Sequence, residues 1–295
     1  MIKNYKKVTG VTSSLGNERN KRKMNILVTN DDGISSPGLI ALANAMRTIG
    51  NTFILAPDRN WSVSGHVKTI SKPLRINPVN MSDQSNGWTS DGSPADCVTL
   101  AAHGYFEIPF DLVVTGINTT ANLGQDVTCS GTVTAAMEAA IHRIPAIAFS
   151  LDATHQNGEK PDYMRAANWA KKVVEIAMQQ PFAPNSLLSV NIPDLPESKI
   201  KGFQITRLGR RIYHDFLDRR IDPRGVNYVW ISGRAPGGIV EAGTDIGALA
   251  EGYVSVTPLH LDMTAYHWME SINNWEWQQQ ITPEINIIRL EESCC

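Results

Sequence analysis

Short apolar runs alternate with longer amphipathic segments through the first half of the chain. Each apolar run is four or five residues long and is followed by polar residues, which is typical of buried strands. Apolar residues recur at helical spacing between these runs, with Ser36 as a candidate helix cap and Pro37 and Pro94 at the predicted first turns of helices. The pattern predicts strands over 25–29, 53–56, 112–115 and 145–149, and helices over 37–50, 94–102, 132–143 and 164–178.

This alternation of strand and helix predicts an α/β fold, with a mostly parallel sheet covered by helices on both faces. Ligands of such folds bind beyond the carboxyl ends of the strands. The regularity fades from about residue 185, where short strand-like runs such as 228–231 and 253–256 appear. We therefore expect a smaller β-rich C-terminal extension that serves subunit contacts.

Composition and charge argue against several classes of function. The chain has 295 residues, 42% of them hydrophobic and 19% charged, which is ordinary for a globular protein. It has no apolar run of the roughly 18 residues that a membrane-spanning helix needs. The formal net charge of −2 argues against a dedicated nucleic-acid binder, because such proteins usually carry a basic excess. We expect neither a membrane nor a nucleic-acid partner.

The net charge hides an uneven distribution. Residues 1–23 hold seven basic groups and one acidic group, a net charge of +6, so the rest of the chain carries −8. This leader has no apolar segment of the kind that a signal peptide needs, and we expect a disordered extension, with a basic arm for nucleic acid as the alternative. The four cysteines form no C-x-x-C pair, which predicts a reducing, cytoplasmic environment without disulfides.

The first candidate site follows the first predicted strand, where Asp31 and Asp32 precede Gly33. Adjacent carboxylates repel each other unless a cation or strong hydrogen-bond donors compensate, and a hard divalent cation with oxygen ligands does so most simply. The alternative is a turn in which one Asp caps the next helix and the other faces water.

Three other motifs are excluded at this position. The run 33–38 has the glycine spacing of a phosphate-binding loop, but Leu39 and Ile40 stand where Lys and Ser or Thr are required. An aspartyl-phosphate phosphatase would need two Asp residues two apart, and position 30 is Asn. No G-x-G-x-x-G follows the strand, which argues against a dinucleotide cofactor.

The polar segment 56–66 follows the second strand. Ser62 or Ser64 could add a neutral oxygen to a metal, and Arg59 could meet a phosphate. Trp61 could stack on a base or be an ordinary half-buried surface residue. His66 could act as an acid or base, although a lone histidine is more often a hydrogen-bonded structural residue.

Two more polar clusters complete the set. Asn118 and Asn122 follow the third strand and offer neutral amide oxygens to a cation, or form an Asn-rich turn. The run 130–132 (Ser-Gly-Thr) begins a predicted helix, where free N–H groups and the helix dipole favour a phosphate. The alternative is that Ser130 is an ordinary N-cap residue. Because all four clusters lie at strand ends of one predicted sheet, one shared site explains them better than four unrelated turns.

Six segments along the chain also match a known pattern. They are 24–33 (MNILVTNDDG), 56–59 (APDR), 62–66 (SVSGH), 116–124 (GINTTANLG), 130–133 (SGTV) and 257–262 (TPLHLD). In this order they resemble the SurE family of metal-dependent nucleotidases, also called stationary-phase survival proteins. The resemblance implies a Rossmann-like α/β core over 24–266, preceded by the basic extension 1–23 and followed by a C-terminal tail, 267–295.

The resemblance also implies chemistry. It implies one divalent cation, Mg²⁺ or Mn²⁺, hydrolysis of nucleoside 5′-monophosphates, and a homodimer or homotetramer held partly by an extended C-terminal arm. The implied metal ligands are Asp31, Asp32, Ser62 and Asn118, and the implied phosphate-binding residues are Asn118, Ser130, Gly131 and Thr132. The chain departs from the family at Thr120, where Gly is usual, and at Cys129, where Tyr or His is usual, and both changes bear on substrate selectivity.

These residues suggest a hydrolytic mechanism. Asp32 is the first candidate for orienting or deprotonating the attacking water, and Asp126 is the second. Two alternatives to a 5′-nucleotidase stay open at this stage. One is a broader phosphatase that acts on 3′-nucleotides or polyphosphate, and the other is a nucleotide-binding sensor with weak turnover.

Overall fold

The computed structural model of the chain describes residues 22–153 and 160–275. The predictions for the basic extension 1–23 and the tail 267–295 therefore fall largely outside the described residues. Of the extension, only Arg22 and Lys23 are described, and the Arg22 guanidinium donates to both carboxylate oxygens of Asp111, at 2.7 and 2.9 Å.

One large sheet forms the centre of the molecule. Among the described residues it has nine strands, and six of its eight strand pairings are parallel. This confirms the predicted α/β architecture with a mostly parallel sheet. The strands of the described chain are β1 (Met24–Thr29), β2 (Gly50–Pro57), β3 (Ile76–Asn80), β4 (Asn86–Ser90), β5 (Leu112–Asn118), β6 (Ala146–Asp152), β7 (Ser186–Pro193), β8 (Phe203–Ile205), β9 (Arg211–Ile212), β10 (Phe216–Ile221), β11 (Asn227–Ser232), β12 (Gly237–Gly238) and β13 (Val254–His260).

Helices cover both faces of this sheet. They agree with the predicted helices within a few residues at each end, apart from two short C-terminal helices that the periodicity does not predict. Short 3₁₀ turns also occur at Gly124–Thr128 and Glu197–Lys199. The α-helices are α1 (Pro37–Arg47), α2 (Pro94–Ala102), α3 (Gly131–Ile141), α4 (Tyr163–Ala177), α5 (Asp245–Ala250) and α6 (Tyr266–Asn273).

The ends of α1 and α2 show how local sequence sets these boundaries. Ser36 occupies the N-cap position of α1, but its side chain makes no capping bond, and Pro37 supplies the first turn. Ser93, by contrast, forms a complete capping box with Asp96 at the start of α2. Gly50 does not end α1 as predicted: it begins β2, where a side chain would lie 2.7 Å from the Met24 carbonyl oxygen.

The sheet order brings the site loops together. The order of strands is β3-β4-β2-β1-β5-β6-β7-β13-β8. Strands β2, β4 and β3 therefore lie on one side of β1, and the chain then crosses to place β5 on the other side of β1. Helix α1 packs with α4 on one face, and α2 packs with α3 on the other. The helices that follow β1 and β5 therefore lie on opposite faces, which opens a crevice at the carboxyl ends of these two strands.

Side chains of β1 join both halves of the core. Ile26 and Val28 point into the layer that contains α1 and α4, whereas Leu27 points into the layer that contains α2 and α3. This alternation is the two-residue period of a strand that is buried on both faces. Burial on both faces fixes β1 firmly and, with it, the position of the loop that follows.

The predicted β-rich C-terminal extension is only partly separate from the sheet. The strand-like run at 253–256 becomes β13, which pairs antiparallel with β7 and parallel with β8 inside the central sheet. The run at 228–231 belongs to a two-stranded hairpin of β10 and β11, with largely exposed side chains. Strands β9 and β12 form a second small sheet.

The chain divides after Leu261 into a large compact unit and a second unit that begins at Asp262. In the described part of the second unit, α6 is exposed along its length and the rings of Trp268 and Trp275 meet edge to face at 6.0 Å. Within the described ranges of the chain, no helix has the length and apolar character needed to cross a membrane.

Candidate active site

The loop after β1 is a closed turn. The buried Asn30 side chain bonds both ways across it, with Nδ2 donating to the Gly33 carbonyl oxygen and Oδ1 accepting from the Gly33 amide, each at 3.2 Å. Gly33 has a φ of +97°, and a side chain there would lie 3.1 Å from the Arg59 carbonyl oxygen. Asn30 is thus a structural residue that holds the two aspartates between it and Gly33.

Asp31 is held by the start of α3. Its side chain is buried, with 3% of its surface exposed, and its Oδ1 accepts a hydrogen bond from the Thr132 hydroxyl. Gly131 packs so closely that an added Cβ would lie 2.6 Å from Cβ of Asp31. Burial raises the pKa of the Asp31 carboxyl, although hydrogen bonds from the Thr132 side chain and backbone oppose that rise.

Asp32 is the unpartnered member of the pair. Its Oδ2 is buried and has no hydrogen-bond partner among the described residues. Burial, with the negative charge of Asp31 as a second cause, raises the pKa of the Asp32 carboxyl to about 6. An acceptor-only oxygen that is buried without a donor, beside a second carboxylate, matches the donor set of a hard divalent cation. The residues present therefore fit the metal that the sequence implies.

Asn118 ends β5 on the other side of the crevice. Its amide nitrogen donates to the Thr120 carbonyl oxygen at 2.7 Å and to the Thr120 hydroxyl at 3.2 Å. The amide oxygen is therefore the atom that remains for a ligand. The strand end is tightly enclosed, because a side chain at Gly38 of α1 would lie 2.1 Å from the Ile117 carbonyl oxygen. Helix α1 approaches the site only because residue 38 is glycine.

The Ser62 loop, which we define as residues 58–72 between β2 and β3, reaches the same place. The Trp61 amide donates to the Asp31 carbonyl oxygen at 2.7 Å, which sets Ser62 next to the aspartate turn. The exposed Ser62 begins its own tight turn, because its amide donates to Asn60 Oδ1 at 2.6 Å. The Ser64 amide bonds back to the Trp61 carbonyl oxygen at 3.1 Å, so Ser64 closes this turn.

Trp61 and His66 make contacts typical of structural residues. The Arg59 guanidinium lies 4.7 Å from the centroid of the half-exposed Trp61 ring. His66 Nε2 lies 2.8 Å from a carboxylate oxygen of the buried Glu138, so the histidine is tied to α3. Neither contact is evidence of a direct role in chemistry.

The start of α3 faces the aspartates. Ser130 acts as its N-cap, with the hydroxyl accepting from the Val133 amide at 3.1 Å. The Thr132 carbonyl oxygen accepts from Thr115 on β5 at 2.8 Å, so the helix start is fixed to the sheet. The positive end of the helix dipole therefore lies at the Asp31 carboxylate, where it favours negative charge.

Both carboxylate oxygens of Asp126 accept hydrogen bonds from side chains at β9. Its Oδ2 accepts from Arg211 Nε and its Oδ1 from the Tyr213 hydroxyl, both at 2.6 Å. The bond to Asp126, aided by partial burial and the carboxylate charge, raises the pKa of Tyr213 to about 12. Because both oxygens serve the segment at β9, these contacts do not support a water-orienting role for Asp126, and that role stays a prediction.

Asn122 also differs from a ligand in its contacts. It is buried, its amide nitrogen donates to the Ser150 hydroxyl at 2.7 Å, and its backbone pairs with the Asn191 side chain. The structure thus brings the loops of Asp31, Asp32, Ser62, Asn118 and Ser130–Thr132 to one crevice, and ties Asn122 into the sheet.

Three features were not predicted from the sequence. They are the buried Glu138, the contact of Thr120 with Asn118, and the contacts of Arg211 and Tyr213 with Asp126. One feature of the sequence points to Glu138: it is the one charged residue of the helix segment 131–141. Such a residue on a buried helix needs partners. No local pattern predicts the contacts of Asp126, because Arg211 and Tyr213 lie 85 and 87 residues further along the chain.

Comparison with known proteins decides the family. The family model described as Survival protein SurE matches residues 26–215, which include every loop of the crevice. The chain belongs to the SurE family.

Relatives in the SurE family cover most of the chain. A protein of Herpetosiphon aurantiacus named 5′-nucleotidase SurE is 46% identical over 256 residues, which span 86% of this chain and 99% of that protein. A protein of Geobacter sulfurreducens with the same name is 43% identical over 253 residues, spanning 86% and 94%. The crystal structure of the SurE protein from Aquifex aeolicus superposes with a TM-score of 0.73 at 41% identity, and the match covers 84% of this chain and 98% of that one.

Proposed function

We propose that this chain is a metal-dependent phosphatase that hydrolyses nucleoside 5′-monophosphates to nucleoside and phosphate. The observation that carries the proposal is the Asp31–Asp32 pair: Asp31 is buried against the start of α3, and the half-buried Asp32 has one buried oxygen without a partner among the described residues. The names of the SurE relatives support the nucleotide substrate, because those proteins are called 5′-nucleotidases.

The metal would be held by Asp31, Asp32, Ser62 and Asn118, which together offer two carboxylates, a hydroxyl and an amide oxygen. All are hard oxygen donors of the kind that Mg²⁺ and Mn²⁺ take. When bound, the cation supplies Lewis-acid stabilisation of charge on the phosphoryl group and makes water more acidic. The fixed amide nitrogen of Asn118 supports this assignment, because it leaves the amide oxygen for the cation.

The chain's own residues would bind and orient the phosphate. Asn118, Ser130, Gly131 and Thr132 line the phosphate side. The first turn of α3 would stabilise charge on the equatorial oxygens, because the positive end of its dipole lies beside Asp31 at the crevice. In-line attack by water then depends mainly on positioning and electrostatics. Asp32 is our candidate for orienting or deprotonating that water, because it is half-buried in the turn directly after β1, beside the proposed cation.

Oligomeric state and cellular location follow from other features of the chain. We expect a homodimer or homotetramer, supported by the exposed apolar side chains of the β10–β11 hairpin, with Trp230 61% exposed. We expect a cytoplasmic location, supported by Cys97 and Cys129, which are both free thiols among the described residues.

A substrate panel tests the function. Protein stripped of metal by a chelator receives Mn²⁺, and phosphate release is followed from AMP, 3′-AMP and polyphosphate. We expect AMP to be hydrolysed fastest. Faster release from 3′-AMP or polyphosphate would point to the broader phosphatase. Tight AMP binding without phosphate release would point to the sensor, and the altered loop at Thr120 would then be the first place to look for the cause.

A further inference from the structure

Glu138 is the centre of a polar cluster that the proposed mechanism does not use. Its side chain lies on α3 with 1% of its surface exposed, and both carboxylate oxygens are bonded. The partners and distances are His66 Nε2 at 2.8 Å, Lys68 Nζ at 2.6 Å, the Thr99 hydroxyl at 2.7 Å and His142 Nε2 at 3.1 Å.

A buried carboxylate on a helix of small residues needs this compensation. Burial alone would raise the pKa of Glu138, but bonds from His66, Lys68 and Thr99 and the charge of Lys68 hold that pKa well below its usual range. The carboxylate is therefore ionised at neutral pH, and removing its charge would leave the lysine and the two histidines without their shared acceptor.

Two of these partners belong to the Ser62 loop. His66 and Lys68 are four and six residues beyond Ser62, in a segment where the described backbone has no helix or strand. Ordering such a segment costs backbone entropy at every residue, so the segment needs anchors. Three more anchors come from the same side: the Gly65 amide donates to the Cys129 carbonyl oxygen, Thr134 to the Gly65 carbonyl oxygen, and the Thr69 amide to Asp96.

Helix α3 thus contacts the site through two parts, its first turn and the Glu138 side chain. Its first turn packs on Asp31 through Gly131 and Thr132, and Glu138 on its buried side holds the loop that carries Ser62. Because α3 contacts both Asp31 and the Ser62 loop, the position of this helix sets the distance between the Ser62 hydroxyl and Asp31.

We propose that Glu138 is a positioning residue: by holding His66 and Lys68 it fixes the Ser62 loop on α3, and so sets the Ser62 hydroxyl relative to Asp31. The inference rests on the proposed function, in which Ser62 and Asp31 bind the cation. A purely structural Glu138 would instead stabilise the fold without any specific link to Ser62.

Glu138→Gln tests this link through metal affinity. Gln keeps the shape but replaces one acceptor oxygen by an NH₂ group, which cannot accept from Lys68 or His66. We expect the Kd for Mn²⁺, measured by isothermal titration on chelated protein, to rise about tenfold, at the lower end of losses seen when a ligand's support is removed. Asp194→Asn is the matched control, because it removes a buried carboxylate that pairs with Arg165 of α4, in the other helix layer. We expect it to leave the Kd unchanged.

A double-mutant cycle separates positioning from general stability. In a Ser62→Ala background the loop no longer supplies a ligand, so adding Glu138→Gln should change the Mn²⁺ Kd less than about twofold. Hydrogen exchange of the metal-free protein gives an independent readout: the Gly65 and Thr69 amides should exchange faster in Glu138→Gln and unchanged in Asp194→Asn.

Two outcomes would overturn the proposal: a Glu138→Gln protein with an unchanged Mn²⁺ Kd, or the same loss of affinity with and without Ser62. Should Glu138→Gln fail to fold, Lys68→Met, which breaks the cluster from the exposed side, carries the same expectations. Failure of the proposed function shows separately, as wild-type protein that neither binds Mn²⁺ nor releases phosphate, while the exchange experiment still reports on the loop anchor.

Discussion

At the scale of single residues, the site works against the stability of the fold. Asp31 and Asp32 are adjacent, both have raised pKa values, and one Asp32 oxygen is buried without a partner among the described residues. Such an arrangement costs free energy in the metal-free protein and is relieved by a cation. A pair of this kind is therefore better explained by binding than by folding.

The Asp32→Asn variant should accordingly be more stable than the wild type when both are metal-free. The folded-state pKa of about 6 lies above the ordinary value of 3.8, so the folded protein binds the proton more tightly and loses stability as pH rises through that window. After a discount for solvent screening, we expect a gain of about 1–2 kcal/mol at pH 8 that vanishes below pH 4. Urea unfolding with chelator at both pH values measures it.

Asp83→Asn is the control of opposite sign. Burial would raise the pKa of Asp83, but bonds from Ser85 and Arg47 outweigh it and lower that pKa to about 2. This variant should gain no stability at pH 8. A wild type that is as stable as Asp32→Asn at pH 8 would show that the carboxylate pair is not strained.

At the scale of elements, α3 organises the site. Its cap fixes the helix start, its first turn packs on Asp31, and its buried side holds the Ser62 loop. The close packing depends on Gly131, since an added Cβ would lie 2.6 Å from Cβ of Asp31 and 2.9 Å from Oδ2. Because Cβ of Asp31 is attached directly to the backbone, the aspartate turn itself must move to relieve the closer contact.

Gly131→Ala should therefore impair the site even though alanine favours the helix. We expect a drop of roughly 100-fold in kcat/KM for AMP, the cost typical of a displacement near 1 Å in a catalytic site, together with weaker Mn²⁺ binding. Steady-state kinetics and metal titration measure both. Gly237→Ala, where the nearest atom to an added Cβ is 3.9 Å away, should behave as the wild type. Normal kinetics of Gly131→Ala would show that α3 does not press on Asp31.

Local sequence patterns predict most elements of the fold but not their long-range pairing. Strands such as β1 and β5 and helices such as α3 have strong local patterns, so their existence and the parallel sheet followed directly. The place of β13 in the sheet did not follow, because it depends on pairing with β7, 64 to 74 residues earlier in the chain, and with β8. Pairing over such distances leaves no periodic signal.

The candidate residues divide in a similar way. Asp31, Asn118 and Ser130 stand at strand or helix ends, so topology predicts that they meet. Contacts made by long side chains, such as Lys68 with Glu138 or Arg211 with Asp126, depend on how loops fold over the sheet. No spacing in the sequence encodes that, and the catalytic roles of these residues still await experiment.

At the scale of the whole molecule, the charge and the apolar surface are unevenly placed. The net charge of −2 combines a basic leader with an acidic remainder, and part of that acidity is the carboxylate pair of the site. The β10–β11 hairpin exposes a set of large apolar side chains although a two-stranded ribbon is barely stable alone. A covered hairpin explains this surface better than an isolated one.

Charges placed on the hairpin should therefore change the size of the particle. Leu217 and Ile231 are opposite each other across β10 and β11, and both are exposed. We expect the wild type to have about two or four times the 32.4 kDa mass of one chain by light scattering. The Leu217→Lys, Ile231→Lys variant should shift to a smaller particle. The hairpin would be excluded as an interface if both proteins had the same mass.

The most direct test of the account is phosphate release from AMP by chelated wild-type and Asp31→Asn protein as Mn²⁺ is added. We predict that EDTA stops the wild type, that Mn²⁺ restores it, and that Asp31→Asn stays about 1000-fold slower at saturating Mn²⁺, as a loss of several kcal/mol of charge stabilisation implies. Full release by Asp31→Asn that EDTA does not affect would contradict the account.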